Sequence, residues 1–98
     1  MRNLNNKLTD RLFEAIAGIK NADECRAFFE DLCTIKEIQD MAQRLDTAIM
    51  LSSGMSYQKI SETVGVSTAT ISRVNRCLSY GAGGYGRIIE RLGEKNDD

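Results

Sequence analysis

The polar and basic side chains between residues 56 and 78 are the part of this sequence best equipped for chemistry. The second half of that segment, residues 66–78, contains four serines and threonines, two arginines and no acidic residue. Hydroxyl groups can hydrogen-bond to the edge of any base, and guanidinium groups bind phosphate. The residue types therefore indicate contact with a nucleic acid rather than catalysis.

The apolar residues of the same segment predict which of these side chains face outward. They lie at helical spacing on both sides of Gly65, a residue type that tolerates the left-handed backbone of a tight turn. The apolar positions are Ile60, Val64, Val66, Ile71 and Val74. Two helices that cross at about 90–120° need such a pattern, so the sequence predicts a helix-turn-helix over residues 56–79.

We expect the outward side chains of this pair to contact double-stranded DNA. The start of the second helix would read base edges in the major groove, and the first helix would lie along the phosphates. The expected DNA-binding residues are Ser56, Gln58, Lys59, Ser67, Thr68, Ala69, Thr70, Ser72, Arg73 and Arg76. The alternative is a tight helix pair with a merely solvated polar face.

Other chemistries find little support in the composition. The chain has no histidine, and its three cysteines (Cys25, Cys33 and Cys77) lack the spacing of metal or redox motifs. A Gly-x-Gly-x-x-Gly match at residues 81–86 follows a predicted helix, whereas the dinucleotide motif follows a strand. We therefore expect no catalytic residue, no metal site and no cofactor.

We expect six helices in the chain, because it contains no proline and no sustained alternation of apolar and polar residues. Two of them form the candidate segment, and the others position it. Capping residues Asn21, Thr34, Ser56 and Ser67 begin four of them, and Gly54 ends the longest. The predicted helices cover about residues 7–20, 21–32, 34–52, 57–64, 68–79 and 86–92. The fold class is therefore all-α.

We expect a single domain over residues 1–98. Its parts are a helical dimerisation core at 7–54, the helix-turn-helix at 56–79, a glycine joint and last helix at 81–92, and a disordered tail at 93–98. The net charge is −1, but residues 55–92 contain five basic and only two acidic side chains. Positive charge is thus concentrated where phosphates would lie.

The apolar stripes at 8–19 and 38–49 exceed what short helices can bury within one chain. Small domains often complete such a core by association, so we expect a homodimer. No apolar run is long enough to span a bilayer, and the first residues lack the apolar stretch of a signal peptide. We expect a cytoplasmic protein with no membrane partner.

The segments DLCTIKEIQDMAQRLDTAIMLSSGMSYQKI and GVSTATISRVNRCLSYG resemble the tryptophan repressor family, and within it the Trp-repressor-like YerC/YecD branch. The resemblance covers about residues 8–92. It implies an intertwined homodimer of six-helix chains that share their first three helices. It also implies a transcription regulator, typically a repressor, with Gln58 and Ser61 at phosphate positions. Thr68, Ala69 and Ser72 fall where the family meets bases.

The resemblance further implies an effector pocket. Arg44 and Arg73 match the two arginines that flank the indole in the tryptophan repressor, and Thr34 matches a threonine of the pocket wall. Val74 stands where the repressor has glycine, and Cys77 replaces a serine that orients the ligand. We expect the Val74 side chain to fill the space that the indole ring needs. A close-packed site cannot easily rearrange around the extra carbon atoms. Tryptophan would then not be the effector, leaving either no effector or another small molecule.

Two further readings of the helix-turn-helix stay open. A protein-interaction helical dimer would make Arg73 and Arg76 incidental. A sigma-factor-like or recombinase-like module would share the helix pair. Such a module either has no operator of its own or forms part of a longer chain.

Overall fold

The computed structural model describes the backbone of residues 6–96 and the side chains of residues 6–93. Six α-helices in chain order make up this part of the protein, and it contains no strand. The helices are α1 (Lys7–Ala17), α2 (Ala22–Leu32), α3 (Ile35–Ser52), α4 (Tyr57–Val64), α5 (Thr68–Tyr80) and α6 (Gly84–Asn96). The expectation of an all-α, six-helix chain is confirmed.

Short-range capping determines where the first three helices begin. Asn6 and Asn21 each accept a hydrogen bond from the backbone N–H three residues ahead, at 2.9 and 2.8 Å. At the start of α3, Thr34 Oγ1 accepts from the N–H of Glu37 at 3.0 Å, and Glu37 Oε1 accepts from the N–H of Thr34 at 2.8 Å. These bonds satisfy N–H groups that have no partner within the helix. The predicted capping box at Thr34 is therefore present.

Three helix bounds differ from the sequence-based expectation. α6 begins at Gly84 rather than near residue 86, so the glycine joint is shorter than expected. α1 ends at Ala17 rather than near residue 20, because the chain must leave the helix before Asn21, whose extended backbone caps α2. α6 continues to Asn96, so backbone 93–96 is helical where a disordered tail was expected. No proline interrupts this stretch, and its glutamate and lysine are good helix formers. The rest of the expected tail, residues 97 and 98, lies outside the described residues.

The chain divides into two compact units, Met1–Ile38 and Gln39–Asp98; the single domain stays a prediction. In the described part of the first unit no residue is buried. Leu8 and Ile35 are each 77% exposed, and the rings of Phe28 and Phe29 make an edge-to-face contact at 5.9 Å. The first unit thus presents apolar surface without a core of its own.

A concavity in this first unit is also largely apolar. Its volume is about 390 Å³, and it is lined by Ala22, Cys25, Arg26, Phe29, Glu30 and Ile38. Large apolar side chains that are exposed to solvent are typical of a surface that another protein covers. The homodimer expected from the sequence stays a prediction.

The second unit contains the core. Ile60, Val66 and Ile71 form a buried cluster, against which pack Met50, Leu51, Met55, Tyr57 and Val64. Thr47 is fully buried, and its hydroxyl donates to the carbonyl of Gln43 at 2.7 Å, so its burial leaves no polar group unpaired. The end of α3 therefore supports the two helices that follow it. Within residues 6–96 no helix is long and apolar enough to cross a membrane.

We predict an obligate homodimer from the uncovered apolar surface of the first unit. Light scattering at micromolar concentration should give close to twice the chain mass of 10.9 kDa. Leu8→Glu or Phe13→Glu should shift the protein toward monomer, because each removes about 1.5–3 kcal/mol of apolar burial and adds a charge.

Lys7→Glu provides the matched control, because Lys7 is exposed on the polar side of the same helix. It should leave the mass unchanged. A well-folded wild-type monomer at that concentration would overturn the shared-core architecture.

Candidate nucleic-acid interface

α4, the turn at 65–67 and α5 form a helix-turn-helix, and both of its helices begin at a serine cap. Ser56 Oγ accepts from the N–H of Lys59 at 3.2 Å, and Ser67 Oγ accepts from the N–H of Thr70 at 3.1 Å. Gly65 ends α4 with φ 85°, in the left-handed region where a side chain is strained. The caps and the turn glycine predicted from the sequence are confirmed.

Apolar burial fixes the orientation of the two helices. Ile60 and Ile71 are fully buried, Val74 is 2% exposed, and Val66 fills the angle between the helices with 9% exposed. Because one side of α5 is committed to this contact, the residues on its other side face solvent. The inward positions predicted from the spacing are therefore correct.

The structure leaves nearly all of the expected DNA-binding residues on the surface. The exposed members are Ser56, Gln58, Lys59, Ser67, Thr68, Ala69, Ser72, Arg73 and Arg76. Thr70 is half-buried. The exposed face of α5 carries hydroxyl and methyl groups at its N-terminal end and arginines after them. α5 contains no acidic residue, so no negative charge on this helix opposes an approaching phosphate.

Two of the expected DNA-binding residues have a structural role as well. Ser67 Oγ also donates to Thr70 Oγ1 at 3.1 Å, in addition to capping α5. Because Thr70 is half-buried and both hydroxyls meet each other, these two side chains stabilise the start of α5. Thr68, Ala69 and Ser72 are left as the small exposed groups of the helix.

Two polar contacts of α4 were not predicted from the sequence. Gln58 Nε2 donates to Glu62 Oε1 at 3.4 Å, a contact that their spacing of four residues could have indicated. Ser61 is half-buried and donates its hydroxyl to the carbonyl of Val66 at 2.9 Å. No local sequence rule predicts this second bond, because it crosses the turn and depends on the angle between the helices.

A cavity of about 280 Å³ opens beside the helix-turn-helix in the second unit. It is lined by Asp40, Gln43, Arg44, Gly65, Val66, Thr70 and Arg73. The structure thus brings together the two arginines of the expected effector pocket. Two arginines and one aspartate give the lining a net charge of +1, which suits an anionic group.

The other expected pocket residues have different surroundings. Val74 is buried in the core and Cys77 is exposed, and neither is among the described residues that line this cavity. Thr34 is exposed and caps α3. The idea that Val74 blocks tryptophan stays a prediction, whereas Asp40 in the lining was not expected. Among the described residues, no group of three or more His, Cys, Asp or Glu could hold a metal ion.

Comparison with known proteins gives a consistent picture. The family model for the Trp repressor protein matches residues 7–93. The chain is 52% identical over 91 residues to the uncharacterized protein YerC of Bacillus subtilis (strain 168), which covers 93% of this chain and 88% of that protein.

Two crystal structures share the fold. A TrpR-like protein from Eubacterium eligens ATCC 27750 is 51% identical, with a TM-score of 0.88 over 92% of this chain and 93% of that one. A candidate Trp repressor from Staphylococcus aureus is 46% identical, with a TM-score of 0.87 over 92% of this chain and 90% of that one. The resemblance found in the sequence is confirmed.

Gly65 allows a direct test of the turn. No atom lies within 4 Å of a Cβ added at Gly65, so Gly65→Ala should destabilise through backbone strain alone. We expect a loss of about 1–2 kcal/mol in the free energy of unfolding, the usual cost of a left-handed alanine. Urea denaturation at fixed protein concentration measures it.

Gly18→Ala is the matched control, because Gly18 has right-handed backbone (φ −88°) and the new Cβ would make only ordinary contacts at 3.6 Å or more. It should be neutral or slightly stabilising. Equal losses for both variants would mean that the turn does not require its left-handed residue.

Proposed function

This chain belongs to the Trp repressor protein family, and we propose from that membership that it is a sequence-specific DNA-binding transcription regulator that acts as a repressor. Its helix-turn-helix would read the major groove of an operator with α5. We propose that it works in the cytoplasm, where a regulator of this family would meet its DNA.

One observation carries the proposal: the buried face of α5 leaves a continuous acid-free face in solvent. Ile71 and Val74 point into the core, and the exposed residues include Thr68, Ser72 and Arg73. In a helix-turn-helix the N-terminal part of the second helix meets base edges. Hydroxyls can bond to either base type, and the methyl of Ala69 can contact thymine.

The exposed residues at the start of α4 are suited to the phosphate backbone. Ser56, Gln58 and Lys59 supply a hydroxyl, an amide and an ammonium group, which position a protein on DNA without reading sequence. Gln58 donates one N–H of its side-chain amide to Glu62, and the other N–H would contact phosphate. Arg73 and Arg76 would supply all of the side-chain positive charge on α5.

We propose that the protein binds as a homodimer. Each chain would present one α5 to a half-site, and the two half-sites would be centred about 34–36 Å apart, one turn of DNA. The uncovered apolar surface of α1 and of the start of α3 supports this arrangement.

We further propose that DNA binding does not depend on tryptophan. Val74 stands where the resemblance implies a glycine that leaves room for the indole, and its branched side chain would fill that space. The protein then either binds its operator without an effector or senses a different small molecule in the cavity between Arg44 and Arg73.

The competing roles are distinguishable by one experiment. A protein-interaction dimer would shift neither promoter DNA nor random DNA in a gel, and a sigma-factor-like accessory module would bind DNA only with a partner protein. Selection of bound sequences from a random duplex pool, followed by a gel shift, tests the proposed function. Failure to enrich any sequence would reject an operator-specific regulator.

Substitutions on α5 should separate phosphate contacts from base contacts. Arg73→Ala and Arg76→Ala should each weaken binding to every duplex and reduce the salt slope of log K by about one unit, as expected for one lost phosphate contact. Thr68→Ala and Ser72→Ala should instead change which sequences are enriched, at nearly unchanged salt slope.

The selected duplex and a scrambled duplex of the same length serve as the matched pair of ligands. If all four variants lose affinity equally for both duplexes, the wrong face of α5 has been assigned to DNA.

Calorimetric titration with L-tryptophan checks the effector prediction. We expect no binding at micromolar concentration and no effect of tryptophan on the gel shift, because the Val74 side chain would occupy the space that the indole ring needs. The informative control is Arg44→Ala. Micromolar binding that this variant abolishes would identify the cavity as a tryptophan site and contradict the prediction.

A further inference from the structure

Ser61 is the residue through which α4 holds both sides of the turn. Its backbone carbonyl accepts from the N–H of Gly65 at 2.9 Å, and its side-chain hydroxyl donates to the carbonyl of Val66 at 2.9 Å. The first bond closes the end of α4, and the second reaches the residue just before the cap of α5. One residue therefore links the end of one helix to the start of the next.

The second bond gives the carbonyl of Val66 a hydrogen-bond partner from a side chain. Val66 is 9% exposed and lies between two helices, so its carbonyl is not part of a helical hydrogen-bond ladder. A carbonyl withdrawn from water needs a partner, and here a side chain provides it. Because Val66 immediately precedes Ser67, a constraint on its carbonyl also constrains the direction in which α5 begins.

We infer that Ser61 is a positioning residue for α5. Its hydroxyl sets the angle at which α5 leaves the turn, and thereby the fit of the α5 side chains to base edges. This inference rests on the proposed DNA-binding function. It differs from the phosphate contact that the family resemblance implies for this position, because the half-buried hydroxyl is engaged within the protein. A small rotation of α5 would displace Thr68 and Ser72 without removing any charge.

The two roles predict different losses. A phosphate contact contributes to all DNA equally, so its removal would weaken specific and non-specific binding alike. A positioning residue acts through the groups that read bases, so its removal weakens the selected sequence and leaves non-specific binding unchanged. The ratio of the affinities for specific and non-specific DNA therefore distinguishes the two roles, whereas a measurement of folding stability would not.

Thr63 offers a matched control on the same helix. Its hydroxyl donates to the carbonyl of Lys59 at 2.8 Å, within α4 itself. Thr63→Ala removes a hydroxyl of the same kind that does not cross the turn. Ser61→Ala removes the crossing bond, and Ser61→Thr keeps a hydroxyl in place.

The experiment compares affinities of the full-length chain for a duplex selected from a random pool and for a scrambled duplex, at one salt concentration. Ser61→Ala should lower affinity for the selected duplex about five- to tenfold and for the scrambled duplex less than twofold, the scale of one lost hydrogen bond. Ser61→Thr and Thr63→Ala should stay within twofold of wild type on both. If Ser61→Ala fails to fold, Ser61→Cys should show a smaller loss with the same selectivity, because a thiol is a weak donor.

Amide hydrogen exchange of residues 67–70 provides a readout without DNA. Ser61→Ala should raise exchange there, while Thr63→Ala should not. Equal losses on both duplexes, or no loss on either with a folded variant, would overturn the positioning role. If the wild-type chain enriches no sequence, the proposed function itself fails, and hydrogen exchange then reports only on the turn.

Discussion

The packing of Ile60, Val66 and Ile71 around the turn at Gly65 is the constraint on which the candidate interface depends. Three apolar side chains from two helices and the turn between them become buried together only when the helices cross sharply. The crossing in turn requires a left-handed residue at the end of α4, which Gly65 supplies at φ 85°. Burial thereby decides which side chains of α5 remain in solvent.

This orientation also separates polar groups by role. Those near the turn are used internally: Ser67 and Thr70 stabilise the start of α5, and Ser61 binds the carbonyl of Val66. Those farther around the helix, including Ser72 and Arg76, are exposed. A helix-turn-helix that reads DNA needs both groups, because the exposed side chains discriminate between bases only when the internal ones hold the helix still.

The two units contribute differently to such a protein. All buried residues of the described chain lie in the second unit, where the end of α3 supports the helix-turn-helix. The first unit presents apolar residues such as Leu8 and Ile35 to solvent. Apolar burial is the main source of stability in small domains, and we therefore predict that a second copy of the chain supplies the missing core.

The sequence alone determined the features that local chemistry controls. Helix caps, turn glycines and the inward face of α5 depend on residues three or four positions apart, so their spacing in the sequence predicts them. The tertiary structure decided the features that depend on the angle between helices. The bond from Ser61 to Val66 and the cavity that joins Asp40 and Arg44 to Arg73 bring together groups from different elements. No local pattern encodes these contacts, because they form only after the apolar core has set the crossing of the helices.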